Sequence, residues 1–120
     1  MTFYRVAAPA EDQIARILAR SMVDYGHDRA TNYGLLIIAA MEDVAADPKR
    51  LGAKPVPRSG GVWVYQLWHS RNRLPRHRRV RDPWHKILYR PVAGSGIEIL
   101  AIVGRSYPTV RAAREAVLER

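Results

Sequence analysis

The chain has 120 residues, 48% of them hydrophobic, with no cysteine and a formal net charge of +9. That length and apolar content fit one domain, residues 1–120, with one modest core, and exclude a disordered chain. The missing thiol excludes a disulfide scaffold, a thiolate metal site and a cysteine nucleophile. Met1-Thr2-Phe3-Tyr4-Arg5 has no signal-peptide apolar core, and the longest apolar run, Leu35 to Met41, is too short to span a bilayer. The expectation is a cytoplasmic protein with no membrane partner.

Phe3 to Ala7 predicts a short strand. Pro9 suits the first turn of a helix, and Glu11 and Asp12 follow at the positive end of its dipole. Ile14, Ile17, Leu18, Met22 and Tyr25 fall on one helical face, and Gly26 ends the helix as a left-handed cap. Asp28 caps a second helix with a core stripe of Tyr33, Ile37, Ala40, Met41 and Val44, stopped by Asp47-Pro48. The short Gly26-His27 link makes the two helices an antiparallel hairpin. Leu35, Leu36 and Ile38 widen its apolar surface; burial against a sheet or a docking face for a partner helix would each account for them.

Lys49 to Gly61 reads as a loop rich in proline and glycine. Val62 to Trp68 alternates as a strand, His85 to Val92 is the next, and Ala93-Gly94-Ser95-Gly96 is a hairpin turn. Ile97 to Val103 is apolar on both faces apart from Glu98, which predicts a central strand. Thr109 caps a final helix running through Glu119. The order β-α-α-β-β-β-α gives an α+β fold. An N-terminal strand and a helical hairpin pack on one face of an antiparallel sheet, with a C-terminal helix and the other face left for function. Ile14, Leu18, Met22, Ile37, Met41, Leu67, Ile87, Ile99 and Ile102 are the predicted core. Trp68 and Tyr89 are assigned to the core and Trp84 to the surface.

Charge is the most informative feature. Residues 1–50 carry six basic and seven acidic side chains, whereas residues 51–120 carry fourteen and four. Arg71, Arg73, Arg76, Arg78, Arg79, Arg81, Lys86 and Arg90 lie within twenty residues, opposed only by Asp82. A localised positive field captures anionic partners. Nucleic acid, a nucleic-acid-bound protein or an acidic neutralising protein would all fit.

Several segments then carry a family resemblance. They are Pro9-Ala10-Glu11-Asp12-Gln13-Ile14 running to Asp24-Tyr25-Gly26, the Asp47-Pro48 stop with Leu51-Gly52, and Val64-Tyr65-Gln66-Leu67-Trp68-His69-Ser70-Arg71-Asn72-Arg73. His85-Lys86-Ile87-Leu88-Tyr89-Arg90 and Gly96-Ile97-Glu98-Ile99-Leu100-Ala101-Ile102-Val103 complete the set. Across nearly the whole chain this pattern resembles the RelE/ParE superfamily of bacterial toxin–antitoxin toxins, closer to ParE. The resemblance implies a type II toxin held in a hetero-oligomer by a cognate acidic antitoxin. ParE-like members poison DNA gyrase; RelE-like members cleave mRNA on the ribosome. The chain departs from the pattern at Gly104, where many relatives place histidine, at Ala101, where many carry arginine, and in its longer C-terminal helix.

RNA cleavage needs a base, an acid and cations around the phosphorane. His85, Lys86, Arg90, Arg105 and Tyr107 are the candidates, at the ends of the last two strands, with no evident acid–base pair. A gyrase poison needs only a charged surface, and Arg71, Arg73, Arg76, Arg78, Arg79, Arg81 and Trp84 are its candidates, since the arginine fork grips carboxylate and phosphate alike. Leu35, Leu36 and Ile38 are the candidate antitoxin face. A plain nucleic-acid-binding module with Trp68, Trp84 and Tyr89 as stacking platforms is the third reading. His69, His77 and His85 recur every eight residues without metal-ligand company, and Gly94-Ser95-Gly96 opens no helix, so no metal and no cofactor are expected.

Overall fold

The computed structural model describes residues 3–94 and 96–118, and places a mixed five-stranded sheet between two helical layers. In chain order the elements are β1 (Tyr4–Val6), α1 (Ala8–Tyr25), α2 (His27–Ala46), β2 (Lys54–Pro55), β3 (Trp63–Gln66), β4 (His85–Pro91), β5 (Ile97–Gly104) and α3 (Thr109–Leu118). Two 3₁₀ turns, Leu67–Arg73 and Arg76–Arg78, fill the β3–β4 connection. Ser95 of the predicted hairpin turn and Glu119 of the predicted last helix lie outside the described residues.

The sheet order is β1-β5-β4-β3-β2. After β1 the chain crosses through the helical hairpin to the far edge, then walks back by antiparallel steps. It therefore reaches β1 running the same way, and β5 pairs with it in parallel, Tyr4 opposite Ile97 and Val6 opposite Ile99. A fully antiparallel sheet is thus corrected to a mixed one; the long crossover is what a parallel pair requires. The position of β5 between β1 and β4 agrees with its two apolar faces.

Each face of the sheet has its own core. The hairpin side joins Leu36, Ile37, Met41 and Val44 of α2 to Tyr65, Ile87, Tyr89, Ile99 and Ile102. The opposite side joins Leu88, Leu100 and Ala101 to Ala112, Ala113 and Ala116 of α3, with Val56 and Val62. The second face, expected to be free, is therefore covered. Small alanines let α3 lie close to the strands. Lys86 holds it there: its ammonium donates to the carbonyls of Arg105 (3.1 Å) and Tyr107 (2.6 Å) and to Thr109 Oγ1 (2.9 Å). Thr109 consequently serves Lys86, and the carbonyl of Pro108 accepts the first helical bond, from Ala112.

Other expectations change at element ends. Gly26 is shared by both helices: its N–H donates to Met22 and its carbonyl accepts from Ala30. Its φ of 93° suits glycine, but its ψ of 173° is not the left-handed helical value. Asp28 lies inside the first turn of α2, not at its cap. Met22 is 47% exposed and not core, and Tyr25, which lines an open cleft, is exposed too. Ile14 and Leu18 are half-buried against the core. Gly52, at φ +98°, lets His69 approach so closely that a Cβ would lie 2.7–2.9 Å from its ring.

Ile99 is fully buried on the central strand. Ile99→Ala should cost about 2–5 kcal/mol in denaturant unfolding, as large-to-small core changes do. Lys86→Met keeps the stem and removes all three donated bonds, so hydrogen exchange should accelerate across Thr109–Leu118 while β4 and β5 stay protected.

Candidate functional site

The β3 strand stops at Gln66, opposite Lys86, although the apolar alternation runs on to Trp68. Beyond that point the chain leaves the sheet and lies along α2. Asn32, Leu36, Ala39 and Asp43 fall at i, i+4, i+7 and i+11, one stripe of that helix. Asp43, 9% exposed, accepts Ser70 Oγ at 2.7 Å and the guanidinium of Arg50 at 3.1 Å, and it is bonded by Arg73. Arg73 also reaches Glu42 at 3.0 Å. Farther along, Leu74 enters the core, Arg78 donates to Asn32 Oδ1 at 3.2 Å, and the Trp84 N–H donates to Tyr33 Oη at 3.1 Å. Residues 67–84 are thus strapped to α2 from Asp43 back to Tyr33.

This strap decides where the basic residues go. Arg76, Arg78, Arg79 and Arg81 are exposed, Arg78 alongside α2 at Asn32 and Arg79 and Arg81 beside the cleft that α1 and α2 border. Arg73 is exposed too, but its guanidinium is spent on α2. Arg71 is partly covered, stacked 3.4 Å above the Trp68 ring and donating to the Trp68 carbonyl at 2.9 Å. Trp68 is 44% exposed, against its assignment to the core, because it sits on the 3₁₀ turn and not on a strand. Trp84 is 46% exposed, as the sequence indicates, with the Arg105 guanidinium 4.2 Å from its ring centre. Tyr89 is buried and donates to the carbonyl of Pro48 at 2.6 Å, so it is no stacking platform.

The candidate catalytic residues are dispersed, not gathered. Successive residues of a strand point to opposite faces. His85 meets Tyr33 of the hairpin layer, Nδ1 to Oη 2.5 Å, while Lys86 turns to α3 and is buried there. Arg105 pairs with Asp82 at 3.5 Å, and the Tyr107 hydroxyl donates to Glu115 on α3. Arg90 is half-exposed farther along β4, opposite Glu98, whereas Lys86 is opposite Val103. His69 packs on Tyr65 and Trp68, and His77 is exposed on the strap. No group of three His, Asp or Glu residues among the described residues could hold a metal ion. Among the described residues no helix is long and apolar enough to cross a membrane.

Of the candidate partner face, Leu36 is fully buried because its stripe lies under the strap; Leu35 and Ile38 are exposed on the outer side of α2. The reading by sequence passed over Asp43, Ser70 and Asn32, and placed Tyr33 only in the core. Their signal was a polar stripe on an otherwise apolar helix, together with a tyrosine whose hydroxyl needs a partner when buried. Burial pushes that hydroxyl up to about 12.

No family model matches the sequence, and no curated protein matches it.

Asp43→Ala removes the acceptor that holds Ser70, Arg73 and Arg50. It should cost about 1–3 kcal/mol, and trypsin should cut the strap at Arg76 and Arg78 faster, whereas Glu42→Gln should leave the cleavage rate near wild type. Burial lowers the His85 pKa from the ordinary 6.5, and burial with Arg71, Arg50 and Lys54 lowers that of His69. The unfolded chain then binds more protons just below that value, so stability is full above it and is lost as pH falls. Denaturation midpoints should fall between about pH 7.5 and pH 5, and His85→Asn should flatten the slope.

Proposed function

We propose that this chain is the toxin of a type II toxin–antitoxin pair, RelE/ParE-like in fold and acting on DNA gyrase, with a cognate acidic antitoxin as its neutralising partner. The observation that carries the reading is the strap. It is a folded ledge that holds Arg76, Arg78, Arg79 and Arg81 in solvent while Ser70 and Arg73 anchor it on Asp43. A poison that traps a protein–DNA intermediate needs such a fixed cationic surface and no catalytic group. Preset arginines lose little freedom when they grip phosphate or carboxylate. A helical hairpin packed on a sheet, followed by a C-terminal helix, is in keeping with the α+β fold that the RelE/ParE resemblance implies.

Messenger cleavage has less support. Lys86 is committed to three oxygen acceptors, the Tyr107 hydroxyl is held by Glu115, and His85 lies on the other side of β4 from both. General acid–base catalysis requires its groups within reach of one scissile bond. Leu35 and Ile38, exposed on α2, support an apolar antitoxin contact there; Leu36 does not. Acidic side chains flanking that contact would face the ledge, making capture fast and salt-sensitive.

Purified protein should inhibit gyrase supercoiling in vitro. Arg76→Gln with Arg81→Gln should weaken inhibition about tenfold or more while leaving the unfolding midpoint unchanged, since these exposed side chains make no side-chain hydrogen bond or ion pair among the described residues. Tyr107→Phe should inhibit like wild type. Codon-specific mRNA cleavage on programmed ribosomes, abolished by Tyr107→Phe with gyrase untouched, would reverse the assignment.

A further inference from the structure

A cleft of about 800 Å³ opens beside the strap, between the last turns of α1, the first turns of α2 and residues 79–85. That volume lies within the range of small-molecule sites. Its wall brings together Arg29 of α2 with Arg79 and Arg81 of the strap, residues far apart in sequence. Two other charged pairs nearby are already neutral: Arg20 with Asp24 at 2.7 Å, and Asp82 with Arg105 at 3.5 Å. Arg29, Arg79 and Arg81 have no carboxylate partner among the described residues; Arg79 spends only its Nε, on the carbonyl of Leu74. The cleft wall therefore carries three cations without a carboxylate partner among the described residues, Arg29 with its guanidinium 5.6 Å from the Tyr25 ring centre.

The rest of the wall is not that of a simple ion site. Ile17 and Val80 provide apolar surface, and Tyr25 and Trp84 provide aromatic surface. His85 adds a polar group whose state follows from its partners. Tyr33 Oη accepts the Trp84 N–H and shares a second hydrogen bond, 2.5 Å long, with His85 Nδ1. With Tyr33 as the donor in that bond the imidazole proton sits on Nε2, for which the described chain supplies no hydrogen-bond partner. Burial lowers the pKa of this ring. Cationic forks, an exposed indole and an imidazole around one space match a phosphate joined to a planar, hydrogen-bonding ring.

We propose that this cleft binds a nucleotide unit of single-stranded nucleic acid, with its phosphates on Arg29, Arg79 and Arg81 and its base against Trp84 within reach of His85. The pattern is that of single-strand binding sites, where cations track the backbone and aromatic side chains stack bases. This site does not rest on the gyrase reading. A chain that fails to inhibit gyrase but binds oligonucleotide through Arg29 loses the proposed function and keeps this one.

The test is fluorescence anisotropy with an end-labelled oligothymidylate of about twelve nucleotides, a length within single-strand site sizes. Arg29→Gln, and Arg79→Gln with Arg81→Gln, should each weaken binding about tenfold or more and reduce the salt slope by about 0.7 per lost phosphate contact. Trp84→Leu should also cost about tenfold. His85→Asn keeps an acceptor for Tyr33 and removes the Nε2 donor, so it should weaken binding with the unfolding midpoint retained. Arg58→Gln with Arg114→Gln, a charge-matched pair outside the cleft, should change affinity less than about threefold. Full competition by thymidine monophosphate would support the site and identify a free nucleotide as its occupant. Oligonucleotide binding that is absent, or equal in Arg29→Gln, Trp84→Leu and wild type, would overturn the proposal. Displacement by polyglutamate but not by nucleotide would also overturn it, in favour of an acidic protein segment.

Discussion

The carboxylate of Asp43 is the constraint around which the cationic half of the molecule is arranged. A buried carboxylate is costly unless it is paired and hydrogen-bonded. Here Ser70, Arg73 and Arg50 supply both requirements from three different parts of the chain. Those bonds pull the segment after β3 off the sheet and onto α2. From that anchor follow the 3₁₀ turns, the burial of Leu36 and Leu74, and the outward display of the arginines that remain. Repulsion within so dense a basic run would favour an expanded loop; the anionic anchor at one end and the Tyr33 hydroxyl at the other hold it down.

Strand alternation makes the second division. His85 and Lys86 are adjacent in sequence and separated by the thickness of the sheet in space. One side carries Tyr33, Trp84 and the cleft; the other carries the buried ammonium that fastens α3. Lys86 is thereby a structural residue, despite sitting in the middle of the charge block. The same logic separates Arg73, committed to α2, from Arg76 and Arg81, which are free to meet an anionic partner.

Because helices cover both faces of the sheet, no open β-surface is left to act as a platform. The surfaces that remain for recognition are the strap, the cleft at its end, and the outer side of α2. They adjoin one another, so an acidic or phosphate-bearing partner on the strap would extend naturally into the cleft. Arg78 and Arg79 are held by Asn32 and by the carbonyl of Leu74, which reduces the ordering cost of binding.

Local pattern by itself determined the helical hairpin, the three long strands, the last helix and the concentration of positive charge in the second half. Helical and strand periodicities and a run of like charges are properties of neighbouring residues. The exposure of Trp84, between Pro83 and His85, was legible for the same reason. What only tertiary structure decided was everything set by partners distant in sequence. The parallel pairing of β1 came from the route of the crossover, and the covering of the second face came from small alanines docked through Lys86. The end of β3 at Gln66 came from the pull of Asp43 on Ser70 and Arg73, which no alternation of apolar residues encodes. The cleft belongs to the same class, since Arg29 and Arg81 meet there only because a basic strap is held against the helix that carries Tyr33.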